Sequence, residues 1–360
     1  MFNFFKTNFT KLVFTAMLLI LVTSCASDNK LTSLSVTERL LSFPPGYYDS
    51  VVYIDNRLIG FAVNIDAPIE EQNSFAYEGD KEKTLFNPEI DPKCVRYSSF
   101  QVMSLLPDGR LGLLKECADN SGTTYLSTNR SIYAYDWQTK ELKRLVAGEL
   151  THGFRPKFYT WNPDMTLGIQ ETNAGYQGTI YWITPDGISP MDIEIEDRGL
   201  TWNLKDFLDE KERTGFVRDP AWSPDGKTIA FFASTYGIRE EPLPKYNVNY
   251  DLFFMSPSKL KPVSELMDIA DADRIIWSPN NEYLLFRGCV GRPLTCGLWR
   301  YKINDKTLSL VKEGDFADYI WITNEKIIAT KNIESPFNDN QIWEYSISEL
   351  NGERQNQNHP

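Results

Sequence analysis

The sequence predicts an all-β fold, a six-bladed β-propeller of four-stranded antiparallel blades. Three observations carry this. A motif of the form aromatic-x-Pro-Asp-Gly, followed by an apolar run, recurs along the chain. Aligned on the proline, its copies fall at 54, 107, 163, 224, 279 and 323, roughly 40 to 60 residues apart, which is the repeat length of propeller blades. Between copies lies a further alternating apolar segment and, in most cases, a short fourth one, so each unit reads as four strands.

The first 24 residues stand outside this pattern. Lys6 and Lys11 flank the start of an apolar run, Leu12 to Val22. The run is shorter than the roughly 20 residues of a membrane-spanning helix and suits the core of a signal peptide. It ends in Val22-Thr-Ser-Cys25, which resembles the lipobox of bacterial lipoproteins. That resemblance implies cleavage just before Cys25 and acylation of its thiol. Several acyl chains on one cysteine hold firmly where one chain does not. Residues 25–36 are then expected to be anchor and linker. Ala26 follows the cysteine where an Asp often marks inner-membrane retention, so the resemblance points to a cell-envelope protein on the outer membrane. The whole sequence carries a net charge of −12, and losing Lys6 and Lys11 makes the rest more acidic. With no basic tract, it suits neither nucleic-acid phosphates nor anionic lipid.

The propeller body is expected over 37–347. Tyr53-Ile-Asp-Asn-Arg-Leu-Ile-Gly-Phe61 is a degenerate first copy. Leu105-Leu-Pro-Asp-Gly-Arg-Leu-Gly-Leu-Leu114 has Leu in place of the aromatic, and Trp161-Asn-Pro-Asp-Met-Thr-Leu-Gly-Ile169 follows. Ala221-Trp-Ser-Pro-Asp-Gly-Lys-Thr-Ile-Ala-Phe-Phe232 is the clearest. Trp277-Ser-Pro-Asn-Asn-Glu-Tyr-Leu-Leu-Phe286 and the degenerate Trp321-Ile-Thr-Asn-Glu-Lys-Ile-Ile-Ala329 complete the set. In the clearest copy a strand ends in an aromatic, Pro fixes φ, Asp with Gly makes the turn, and an apolar strand returns; Pro107, Pro163 and Pro279 hold the same place in three further copies. Third strands are expected around Ile132–Asp136, Thr179–Ile183, Asp251–Met255, Gly297–Tyr301 and Gln341–Tyr345. Between the third and fourth units, Thr201–Arg213 places Leu204, Phe207 and Leu208 at helical spacing and is expected to be a short amphipathic helix. The last unit lacks a fourth strand. Glu38-Arg-Leu-Leu-Ser42 matches the fourth strands elsewhere, so the N-terminal segment is expected to complete it and cover two sheet edges. Residues 348–360 read as a disordered tail.

The copy at 221–232 resembles the WD40-like repeat of the TolB-type propeller family. The resemblance runs over about residues 40 to 347. It implies a six-bladed propeller and says little of function, since propellers host unrelated activities. TolB-type proteins carry a further N-terminal domain, for which the stretch after Cys25 has no room, so transport coupling is not carried across.

Apart from Cys25, four cysteines remain. An even count in an exported chain is expected to form disulfides. Cys289 and Cys296 face each other across one expected hairpin, and Cys94 and Cys117 flank another. No cofactor or metal site is read, because no CxxC spacing is present. The two histidines, His152 and His359, do not support a catalytic triad. The acidic groups Asp271-Ala-Asp273 and Glu194-Ile-Glu-Asp197 read as solvated loop or edge residues. Function is therefore sought in the long loops joining second to third strands, on the face opposite the Pro-Asp-Gly turns, where His152, Tyr176, Tyr236, Arg239 and Tyr246 gather. The expectation is a non-catalytic propeller binding an envelope protein, peptide or glycan there. The alternatives are a hydrolase or lyase using carboxylates at the channel mouth, or a structural envelope component.

Overall fold

The computed structural model describes residues 30–44, 48–63, 74–79, 84–86, 97–119, 127–146, 159–174, 177–191, 194–197, 200–203, 217–233, 249–259, 263–291, 293–333 and 340–349. Among the described residues the regular elements are all strands. Strands β1 (Lys30–Leu31) and β2 (Leu34–Leu40) come first. Then β3 (Tyr48–Ile54), β4 (Arg57–Val63), β5 (Ser74–Tyr77) and β6 (Thr84–Phe86) form an antiparallel sheet in chain order. So do β7 (Tyr97–Leu105), β8 (Leu111–Asp119), β9 (Ser127–Tyr135) and β10 (Leu142–Arg144). The next sheet is β11 (Tyr159–Trp161), β12 (Gly168–Ala174), β13 (Gln177–Thr184) and β14 (Gly187–Pro190). A two-stranded ladder follows, β15 (Glu194–Asp197) with β16 (Leu200–Asn203).

Strands β17 (Val217–Trp222), β18 (Ile229–Ala233), β19 (Asn249–Met255), β20 (Val263–Trp277), β21 (Tyr283–Val290), β22 (Thr295–Lys302) and β23 (Thr307–Glu313) form one larger sheet, with β1 on its far edge. Strand β20 serves two neighbours. Its first half pairs with β19, as Tyr250 with Ile269, and its second half with β21, as Trp277 with Leu284. Register shifts and left-handed backbone at Asp271 and Arg274 (φ 51° and 49°) turn the strand between the two. The last sheet is β24 (Phe316–Thr323), β25 (Lys326–Asn332) and β26 (Asn340–Glu349), with β2 outside β26.

That pairing puts the N-terminal segment where the sequence placed it. Glu38 lies opposite Tyr345 and Leu40 opposite Trp343. Strand structure already begins inside the stretch 25–36 that was expected to be anchor and linker. Lys30–Leu31 already pair in parallel with Thr307–Leu308, and Leu34 opens β2. The helix expected from Thr201 does not start there, because Leu200–Asn203 pair with Glu194–Asp197. Side chains such as Thr201 and Trp202 favour a pleated strand, and the ladder supplies backbone partners that a lone amphipathic turn lacks. Residues 204–213 lie outside the described residues.

The hairpins show why the motif folds as it does. Residues Gly109, Met165, Gly226 and Asn281 occupy the same turn position, all with positive φ (84°, 60°, 71° and 62°). In each, the N–H of that residue donates to the carbonyl three residues back, at Leu106, Asn162, Ser223 and Ser278. Glycine reaches this conformation freely, and Asn tolerates it better than most residues. With the turns at Asp55–Asn56 and Asn324–Glu325, these mark one end of the six hairpins, called the turn end here; the second-to-third-strand loops mark the loop end.

The core is not a single mass. Its buried residues fall into six clusters, each between successive strand groups. Val52, Ile59 and Phe61 pack against Val102, Leu111 and Leu113. Leu114, Ile132 and Ala134 meet Trp161 and Ile183. Ile169 and Met191 meet Trp222, Phe231 and Phe253. Phe232 and Leu252 meet Leu284, Phe286 and Tyr301. Leu285 and Leu298 meet Phe316, Tyr319 and Tyr345. Finally Ile328 and Ile342 meet Tyr48, Val51 and Ala62, joining the last sheet to the first. Each fully buried aliphatic or aromatic side chain contributes about 1.5–3 kcal/mol, so the sheet interfaces hold the fold.

Candidate binding cavity

The first strands of the hairpins are β3, β7, β11, β17, the second half of β20, and β24; β7, β11, β17 and β20 end in the leucine or tryptophan before the turn. These strands touch one another in that order, and β24 touches β3. Together they line one cavity of about 640 Å³. Its wall is apolar, made by residues such as Val52, Met103, Trp161, Trp222, Trp277 and Trp321. It reaches the turn end, where Pro107, Pro163, Pro224 and Pro279 border it. Concave, mostly apolar pockets with a few polar groups are the usual form of a binding site.

The repeat supplies the geometry of this wall. The Trp277 indole N–H donates to the carbonyl of Ala221, the residue before Trp222, at 3.0 Å. Trp321 makes the matching bond to the carbonyl of Ile276, the residue before Trp277, at 3.3 Å. Among the described residues the buried indole nitrogens of Trp161 and Trp222 have no hydrogen-bond partner. A buried donor without a partner costs about 1–3 kcal/mol.

Deeper in, three positions before the aromatic, the lining turns charged. Asp219 and Arg274 line the cavity, and Asp318 occupies the equivalent place on β24. Asp318 is fully buried. It pairs with Arg274 and accepts the Val51 N–H at 2.6 Å, tying the last sheet to the first. Arg218 bridges Asp219 at 2.9 Å and Asp273 at 3.2 Å, and Arg287 pairs with Asp273 and with Asp315. The Tyr319 hydroxyl donates to the carbonyls of Asp273 and Arg274 and accepts the Arg287 N–H. Burial pushes the Tyr319 phenol well above its ordinary value, so it stays a neutral donor, and burial pulls the Arg274 guanidinium below its own. Buried charges persist only when paired; this layer pairs them across two sheets and reaches a third through the Val51 N–H.

Asp273 corrects the sequence reading. It is buried and doubly paired, not a solvated loop residue. Its neighbour Asp271 is exposed, as expected. Glu194–Asp197 form an edge strand. The Cys289–Cys296 disulfide joins directly opposed residues of β21 and β22. Cys94 and the Cys117 side chain lie outside the described residues, as do Cys25, His152, Tyr176, Tyr236, Arg239 and Tyr246. Among the described residues no group of three or more His, Cys, Asp or Glu is placed to hold a metal ion. The charged layer was missed in the sequence. The available signal was a charge three residues before the aromatic of a repeat whose strands are otherwise apolar, at Asp219, Arg274 and Asp318.

No family model matches the chain, and no curated protein matches it in sequence. Among solved structures it is similar to TolB from Acinetobacter baumannii, at 10% identity and a TM-score of 0.49 over 81% of this chain and 64% of that one. The chain thus spans less than two thirds of that protein's length. It is also similar to the β-propeller domain of the Trilobed protease from Pyrococcus furiosus, at 13% identity, TM-score 0.45, 81% and 80% of the two chains. A third likeness is to the oligogalacturonate lyase of Vibrio parahaemolyticus, at 9% identity, TM-score 0.43, 87% and 97% of the two chains.

Proposed function

We propose that this chain is a six-bladed propeller that acts as a binding module of the bacterial cell envelope, held there by lipid on Cys25. The observation that carries the propeller reading is the ring itself: six clusters of core between successive strand groups, the last returning to the first, around one cavity lined by all six first strands. Strand β20 then serves as the outer strand of the fourth blade and the inner strand of the fifth. The lipid anchor and the envelope location rest on the Val22–Cys25 segment and the apolar run before it.

The axial cavity supports binding of an extended ligand, a peptide or glycan segment. The indole surfaces of Trp161, Trp222, Trp277 and Trp321 pack against apolar faces of such a ligand. The long-loop face with His152, Tyr176, Tyr236, Arg239 and Tyr246 is proposed as the surface for an envelope protein.

The test is a thermal-shift screen of the full chain against peptides and glycans, since a ligand that binds the folded state raises Tm by mass action. Leu105 lines the cavity where other copies have Trp or Tyr, so Leu105→Trp narrows the cavity in a way the repeat already accommodates. A shift lost in Leu105→Trp and kept in Tyr236→Ala places the ligand in the cavity. The reverse pattern moves it to the long-loop face. No shift with any ligand removes the small-ligand reading.

A further inference from the structure

We propose that the anchor holds the molecule with its turn end toward the membrane, leaving the long-loop face directed away from it; this rests on the reading of Cys25 as the lipidated residue. The direction follows from strand polarity. Leu34 of β2 lies opposite Glu349, and Leu40 opposite Trp343. On β26 the residues near Ser346 pair with Lys326, beside the last hairpin turn. Strand β2 therefore starts at the turn end and runs toward the loop end. Strand β1 agrees. It runs parallel to β23 at Thr307–Leu308, and Thr307 pairs with Lys302, which itself lies opposite Tyr283 beside the fifth turn. The chain enters the fold at the turn end by two independent pairings.

The entry is pinned rather than loose. The Thr32 N–H donates to the Leu308 carbonyl at 3.0 Å, and the Thr32 and Ser309 hydroxyls bond each other. Lys312 of β23 pairs with Glu38 of β2 at 2.8 Å, so the entering chain stitches the fifth strand group to the last. Only Ala26 to Asn29 separate Cys25 from β1. Fully extended, that stretch reaches at most about 18 Å, too little to carry the anchor around the molecule to the loop end. The turn end itself offers headgroups little attraction. Asp108, Asp164 and Asp225 sit there with their carboxyls held below the usual range, and so are ionised at neutral pH. The short tether, not the surface, sets the orientation. One consequence is that the turn-end border of the cavity faces the gap above the bilayer, while partners from the far side meet the long loops.

The experiment uses the full chain made in a two-membrane bacterium, purified and placed in vesicles containing a headgroup-attached short-range quencher. Mass spectrometry of the N-terminal peptide first reports whether Cys25 is acylated. A fluorophore is then carried on Lys227→Cys at the turn end or on Ile333→Cys at the loop end; both side chains are exposed. The expected result is several-fold stronger quenching at position 227 than at 333. That difference should vanish when about 20 Gly/Ser residues are inserted between Ser27 and Asp28, because a flexible coil of that length reaches either end. Acylated protein with equal quenching at the two positions, or stronger quenching at 333, overturns the orientation. An unmodified Cys25 overturns the anchor reading itself, and the orientation with it.

Discussion

The two halves of the chain seal their strand groups differently. From Val217 onward, neighbouring groups are joined by polar bonds as well as packing. Indole N–H groups of Trp277 and Trp321 reach back to the preceding group. Turn residues do the same, with Asn281 accepting the Asp225 N–H and Asn324 accepting the Asn280 N–H. The ion-paired layer of Asp219, Asp273, Arg274, Arg287 and Asp318 lies in this half and reaches Val51. At the earlier seams the corresponding indoles, Trp161 and Trp222, have no N–H partner among the described residues, the second turn carries Leu105 in place of an aromatic, and the polar bonds are Gln138 to Asp55 and the Trp222 backbone N–H to the Thr160 hydroxyl. One repeat therefore tolerates two kinds of seam. The difference teaches that the aromatic of the motif packs by default, while its hydrogen bond is an addition that depends on how closely the neighbour approaches.

Breaking the ion-paired layer should have the largest effect. Asp318→Asn removes the charge facing buried Arg274 and weakens the bond to Val51. Leaving a buried charge uncompensated costs about 3–5 kcal/mol, read as a lower urea midpoint with an unchanged slope. The turn glycines separate the halves next. Alanine at Gly109 or Gly226 is strained at positive φ by about 1–2 kcal/mol. A Cβ at Gly109 meets nothing, whereas one at Gly226 lies 2.9 Å from Cδ of Pro163. Gly226→Ala should therefore destabilise by about 1 kcal/mol more than Gly109→Ala, and equal costs would mean that the turns do not press on each other.

A smaller effect tests the indole bonds directly. Trp277→Phe loses a bond as well as volume, while Trp222→Phe loses an N–H that has no partner. The first should cost about 1 kcal/mol more than the second in chemical unfolding; the reverse order would count against the contrast between the seams. The smallest effect concerns acid. The Ser223 hydroxyl holds the Asp225 carboxyl below the usual range, and Thr166 does so at Asp164. Because the folded values are lowered, the stabilisation is present above the unfolded carboxylate value of about 3.9. It fades as pH falls through the folded values. Tm measured from pH 7 to pH 2 should fall more gently below pH 4 in Asp225→Asn than in the parent, since that variant has less to lose.

Much of this architecture is local and therefore legible. Pro-Asp-Gly turns, alternation on either side of them, and the hairpin across Cys289 and Cys296 depend on residues close in sequence, and their hydrogen bonds close within the segment. The pairing of Glu38 with Tyr345 was also readable, because a last unit short of one strand and a first segment shaped like one have a single economical match. By contrast, Thr201–Asn203 open the segment expected to be helical from the spacing of Leu204, Phe207 and Leu208, and are strand because a partner lies beside them. Asp273 looks solvated by composition and is buried because Arg218 and Arg287 converge on it.

By itself the sequence determined the strand-turn-strand units, their order along the chain, and the one hairpin disulfide among the described cysteines. It did so because turn chemistry and period-two alternation act over a few residues. Only the tertiary structure decided that six first strands share one cavity and that Asp219, Arg274 and Asp318 form a charged layer within it. It also decided that β20 turns from one neighbour to the next, and that the chain enters at the turn end. Each of these depends on which face of a strand meets a neighbour tens to hundreds of residues away, and the repeat leaves that choice to packing.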